Sequence, residues 1–127
     1  MNLDAIRSYC LSKPGEVSED FPFDEEVLVF RVFGKIFLLT SMNQRPLALN
    51  LKCDPEQAIA WREQYESVQP GYHMNKKRWN TVTVDGTIPR GQLLMMIDHS
   101  YEQVVRGLKK SDKKKIERSM KRPAKHS

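Results

Sequence analysis

The chain has 127 residues, enough for one domain around one core. Hydrophobic residues make up 39% and charged residues 29%, a balance that favours folding over disorder, and no apolar run approaches the roughly 20 residues that span a bilayer. The net charge of +5 is unevenly placed, because residues 109–127 carry nine Lys or Arg against two Asp or Glu while residues 1–108 are net −2.

In chain order, Asn2 is expected to cap a first helix with Leu3, Ile6 and Cys10 on one face, and Pro14-Gly15 to stop it. The acidic stretch from Glu16 to Glu26, broken by Phe21-Pro22-Phe23, reads as an irregular edge strand and loop. Its carboxylates lack the spacing of a calcium loop and suit a solvated edge that resists edge-to-edge pairing. Two apolar runs, Val27 to Phe33 and Ile36 to Thr40, flank Gly34-Lys35 and predict a β-hairpin. Leu47, Leu49 and Leu51 alternate with Ala48, Asn50 and Lys52 at the period of a half-buried strand. Asp54-Pro55-Glu56-Gln57 predicts a helix start, with Asp54 as cap, Pro55 in the first turn and Gln57 reaching back as in a capping box. Ala58, Trp61 and Tyr65 line one face of that helix.

Pro70-Gly71 is expected to break the chain. Thr81 to Val84 reads as a last strand, turned by Asp85-Gly86. Pro89 then opens a long helix with Leu93, Leu94, Ile97, Tyr101, Val104, Val105 and Leu108 at helical spacing. Beyond Leu108 a frayed, Lys-rich tail is expected. The order predicts an α+β fold, an antiparallel sheet meander with helices packed on one face and the other face partly open. The division expected is one domain over residues 1–110 and a basic, flexible tail over 111–127.

The segment Tyr72-His73-Met74-Asn75-Lys76-Lys77-Arg78-Trp79-Asn80 joins three consecutive cations to two aromatics, two amides and a histidine. Cations meet phosphates, rings stack on bases and amides hydrogen-bond base edges, so this mixture suits nucleic acid. Tyr72, His73, Asn75, Lys76, Lys77, Arg78, Trp79 and Asn80 are the candidate binding residues, with Lys109, Lys110, Lys113, Lys114 and Lys115 adding phosphate contacts from the tail. The competing reading makes Tyr72 and Trp79 packing residues and Lys76 to Arg78 a solvated turn.

Asp98-His99-Ser100-Tyr101 contains the residue types of a hydrolase triad. Neighbouring helical residues point about 100° apart and do not face one another, so no triad forms there. With no nucleophile, base and orienting group to assemble, no catalytic residues and no enzyme are expected. Cys10 and Cys53 form no CxxC pair and read as free thiols. With only His73, His99 and His126 beside them, neither a metal nor a cofactor is expected. Met1-Asn2-Leu3-Asp4 lacks the basic-then-apolar pattern of a signal peptide, and a cytoplasmic protein without membrane attachment is expected; the sequence leaves the oligomeric state open, with a monomer favoured.

Several motifs occur together and in order. They are Tyr9-Cys10-Leu11 with Pro14-Gly15, Glu19-Asp20-Phe21-Pro22-Phe23, Gly34-Lys35-Ile36-Phe37 and Leu49-Asn50-Leu51-Lys52-Cys53-Asp54-Pro55. Pro70-Gly71-Tyr72-His73-Met74-Asn75-Lys76-Lys77 with Trp79-Asn80-Thr81-Val82 follows, then Ile97-Asp98-His99-Ser100-Tyr101-Glu102. Over roughly residues 1–110 the chain resembles the MmcQ/YjbR family of small bacterial proteins. The resemblance implies a CyaY-like (frataxin-like) α-β sandwich and a DNA-binding role. The family motif often has His where this chain has Arg78, a change that adds a permanent cation and argues against proton chemistry at that position. The expectation is a DNA-binding module, for instance in regulation, with DNA as partner. The alternative is a protein-interaction or small-ligand module that uses the open sheet face.

Overall fold

The computed structural model describes residues 1–71 and 74–121. Its elements are α1 (Leu3–Leu11), β1 (Val17–Asp20), β2 (Val27–Val32), β3 (Lys35–Ser41), β4 (Leu47–Lys52), α2 (Pro55–Gln64), β5 (Val68–Pro70), β6 (Trp79–Val84), α3 (Arg90–Arg106) and α4 (Lys110–Lys121). The strands form one antiparallel sheet in the order β1-β2-β3-β4-β6-β5. The first four strands are the expected meander.

Side-chain alternation sorts the sheet into two faces. Leu28, Phe30, Leu38, Leu49, Leu51 and Val82 point to one face and meet Ile6 and Cys10 of α1, Ala58 and Trp61 of α2, and Leu93, Met96, Ile97, Tyr101 and Val104 of α3 in a single core. The opposite face carries Val29, Arg31, Leu39, Asn50, Lys52, Trp79 and Thr81. All of the expected helices therefore lie on one side, and the α+β reading holds.

Local chemistry explains the departures from expectation. The β2–β3 turn is Phe33-Gly34, one residue earlier than expected, with both residues at positive φ (46° and 80°). That is the twist a two-residue hairpin requires. Pairing passes from Phe30–Leu38 to Arg31–Ile36, so Phe37 is an extra residue in β3. This bulge lets both Phe37 and Leu38 enter the core. Pro70 does not break the chain outright but ends β5, an edge strand where a missing N–H is tolerated. β6 begins at Trp79 rather than Thr81.

The cap of α2 also differs. Asp54 accepts from the backbone N–H groups of Glu56 and Gln57, as expected. Its own N–H, however, donates to His99 Nε2 at 3.1 Å rather than to a capping-box Gln57. The largest correction is at the C-terminal end. Instead of a frayed tail, residues through Lys121 form α4, anchored by Ile116, which is 4% exposed. Ile116 fits against the Gly15 backbone and near the Phe33 ring, a notch that a Cβ at Gly15 would fill at 2.9 Å from Ile116. Gly15 also has φ +93°, so glycine is required there twice over.

Candidate nucleic-acid interface

Two polar regions compete for a functional reading. The first is the Asp98–Tyr101 stretch of α3. Its four consecutive side chains fan out around the helix, and each meets a different neighbour. The Tyr9 hydroxyl donates to Asp98 at 2.6 Å, and the Lys13 ammonium pairs with the same carboxylate. His99 accepts from the Asp54 N–H and stacks edge-on against Trp61, ring centres 5.2 Å apart. Ser100 Oγ accepts from the Lys52 N–H and donates to the carbonyl of the bulge residue Phe37. Tyr101 donates to the Pro14 carbonyl and packs edge-on against Phe37.

Electrostatics agree with a structural role. Burial holds His99 below the ordinary histidine value, and its accepting Nε2 requires the neutral ring. Burial and then the Asp98 hydrogen bond push Tyr9 up to about 12, and burial alone pushes Tyr101 up to about 12. Lys13 sits over the rings of Tyr9 and Tyr101, 4.7 and 5.5 Å from their centres, so this two-ring cage holds the chain's own ammonium. The motif is a seam joining α1, α2 and the sheet to α3. Both cysteines are buried, unpaired thiols that burial pushes up to about 12, far from the thiolate needed for nucleophilic work.

The second region lies at the end of the sheet where the β2–β3 hairpin, the end of β4 and the start of β6 meet the C-terminal end of α3. A cleft of about 500 Å³ opens there, lined by Arg31, Gly34, Lys35, Ile36, Lys52, Trp79, Val104 and Gly107. Three cations and one indole line it, with no carboxylate among the described lining residues. Arg31 is fixed by Asp20 at 3.0 Å and by the Gly34 carbonyl at 3.1 Å. Lys35 and Lys52 enter no ion pair among the described residues. Lys52 and Trp79 are a directly opposed cross-strand pair, so ammonium and indole share one face.

The expected Lys76–Trp79 segment runs into this cleft. Asn75 Oδ1 accepts from the Lys77 N–H and the Asn75 carbonyl from the Arg78 N–H, closing a turn that presents Lys76, Lys77 and Arg78 to solvent. The Cys53 N–H donates to the Arg78 carbonyl at 2.7 Å and ties the turn to the end of β4. From the core side, Arg62 of α2 donates to the Lys76 carbonyl and, at 2.7 Å, to Asn80 Oδ1. Asn80 is 2% exposed and points into the helix-covered layer, so the structure assigns it to holding Arg62 and removes it from the candidate surface. Asn75 is exposed, and its amide oxygen is spent on the turn. Trp79 is partly exposed and outside the hydrophobic core. Tyr72 and His73 lie outside the described residues.

The expected tail cations are on or beside α4. Lys109, Lys110, Lys114 and Lys115 are exposed and Lys113 is half-buried. They begin two residues after Gly107, which lines the cleft, and the Lys115 ammonium lies 5.8 Å from the ring of Phe33, the residue before Gly34. α4 is thus fixed beside the hairpin that forms one wall. Arg31, Lys35 and Lys52 escaped the sequence reading because they are spread over three strands. The available signal was parity, since Leu51 faces the core and Lys52 must face away.

The YjbR family model matches residues 11–103. The uncharacterized protein YbdF of Escherichia coli O157:H7 is 41% identical over 96 residues, covering 76% of this chain and 79% of that protein. The uncharacterized protein YjbR of Escherichia coli strain K12 is 32% identical over 114 residues, covering 90% and 96%. A crystal structure of a Deinococcus radiodurans protein with a DUF419 domain superposes with a TM-score of 0.84 at 42% identity, over 91% of this chain and 88% of that one.

Proposed function

This chain belongs to the YjbR family, and we propose that it is a DNA-binding module acting through the cleft at the end of its sheet. One observation carries the reading. The exposed Lys76–Arg78 turn leads through Trp79 into a cleft also lined by Arg31, Lys35 and Lys52, with Lys52 directly opposite Trp79. Ammonium groups gathered in one cleft without an ion-pair partner among the described residues cost the fold self-repulsion unless an anion meets them. The α4 cations extend the positive surface, adding phosphate contacts that carry no sequence information. The protein works as a binder rather than an enzyme in this proposal, because the polar groups of the Asp98–Tyr101 motif are engaged in holding elements together.

The test is a salt-titrated binding measurement on random-sequence DNA with the Lys35→Glu/Lys52→Glu variant. The variant is expected to lose at least roughly tenfold in affinity for every sequence and to flatten log K against log salt by up to about two phosphate contacts. Unchanged affinity and slope would return the protein to the interaction-module reading.

A further inference from the structure

We infer that the cleft takes single-stranded DNA in preference to duplex, with an unpaired base stacked on Trp79. This rests on the DNA-binding reading of the cleft and goes beyond it by naming the form of the ligand. A duplex would use only half of what the cleft offers. Its phosphates would meet Lys35, Lys52 and the Lys76–Arg78 turn, but its bases are stacked on one another and leave the indole without a partner. An unpaired strand engages both, because cations track the backbone and the ring accepts a base face regardless of its identity.

The geometry around the ring supports this division. Trp79 belongs to no core cluster, and its backbone is held on both sides, by the Gly71 N–H at 2.8 Å to its carbonyl and by the ladder with Lys52. The indole is therefore presented by a rigid strand rather than a loop. Lys52 lies directly across from it on the same face, at the distance of one cross-strand pair, suited to a phosphate beside a stacked base. Further along that face, Asn50 and Thr81 form the next opposed pair, joined by a 2.7 Å hydrogen bond, with Gln69 opposite Thr81 on β5. The residues beside the ring on that face are therefore polar. Among the described residues that line the cleft, no exposed helix face or free two-stranded ribbon is presented to a duplex major groove. α3 lines it with Val104, followed by its C-cap Gly107, and the β2–β3 ribbon is hydrogen-bonded on both flanks within the sheet.

Fluorescence anisotropy with three labelled ligands of equal length tests the inference: a mixed-sequence single-stranded oligodeoxynucleotide, its blunt duplex, and an abasic single strand of the same backbone charge. The single strand is expected to bind at least tenfold tighter than either of the others at one salt concentration. Trp79→Ala should weaken single-strand binding roughly 5- to 150-fold with little change in salt slope, and Trp79→Phe should recover part of it. Melting curves on both variants report whether the fold is kept, and the three-ligand comparison on the unaltered protein decides the matter even if Trp79→Ala does not fold. Equal or tighter binding of duplex, or of the abasic strand, overturns the single-strand inference while leaving the DNA reading in place. Binding to none of the three overturns both.

Discussion

The α3 seam and the sheet-end cleft are both rich in polar side chains, and they differ in what those side chains have left to offer. In the seam every group is engaged. Asp98 holds Tyr9 and Lys13, His99 holds the start of α2, Ser100 bridges two strands, and Tyr101 reaches the loop after α1. In the cleft, Lys35 and Lys52 have no ion-pair partner among the described residues, and the indole of Trp79 stands outside the core. A satisfied polar cluster is a structural device whose loss is read in stability. An unsatisfied one of a single sign is a candidate for binding, and its loss is read in affinity. Lys13 and Lys52 make the contrast in one residue type, the first paired and caged by two rings, the second open beside one.

Mutating the seam should break the fold and spare the site. Tyr101→Ala removes a ring that is 6% exposed, packed on Phe37 and bonded to the Pro14 carbonyl, and is expected to cost about 3–5 kcal/mol by thermal or urea unfolding. Any residual folded protein at low temperature should bind DNA as the parent does. Asp98→Asn leaves the largely buried Lys13 ammonium without its counter-charge and should cost about 1–3 kcal/mol. A melting curve unchanged by Asp98→Asn would place Lys13 in solvent and dissolve the distinction between the two lysines.

His99 adds a pH dependence to the seam. Its folded value is depressed, so the neutral ring stabilises the fold above the unfolded value of about 6.5, and that contribution is lost as pH falls from there through the folded value. The melting temperature should therefore decline below about pH 6.5, and His99→Gln should remove that part of the decline. A parent whose stability is flat between pH 7 and 5 would show that the Asp54–His99 hydrogen bond contributes nothing. The smallest stability effect is expected in the cleft, where Lys35→Glu/Lys52→Glu should shift unfolding by no more than about 0.5 kcal/mol while its DNA affinity falls. A large loss of stability in that variant would mean that the lysine stems pack against the sheet end and that the cleft is part of the structural framework.

Much of the fold was legible in the chain because its causes are local. Asn2 and Asp54 cap the helices they precede, the leucines of β4 alternate, and the apolar residues of α3 recur at helical spacing. These patterns depend on residues within one or two turns of each other, and tertiary packing only accepted them. The basic and aromatic character of Lys76 to Trp79 was equally visible, since it is contiguous. What the sequence could not supply were the relations between distant segments. The bulge at Phe37, the exchange of Gln57 for His99 as the partner of the Asp54 N–H, and the docking of Ile116 that turns a Lys-rich run into α4 all depend on surfaces that exist only after the layers meet. The same is true of the site. Residues 31, 35, 52 and 79 belong to four different strands whose ends meet at one cleft, and the register sets Lys52 and Trp79 on one face while turning Asn80, the next residue, into the core. Side-chain identity determined which groups could bind an anion, and the two-residue period of the sheet, closed by its helices on one side, decided which of them face solvent together.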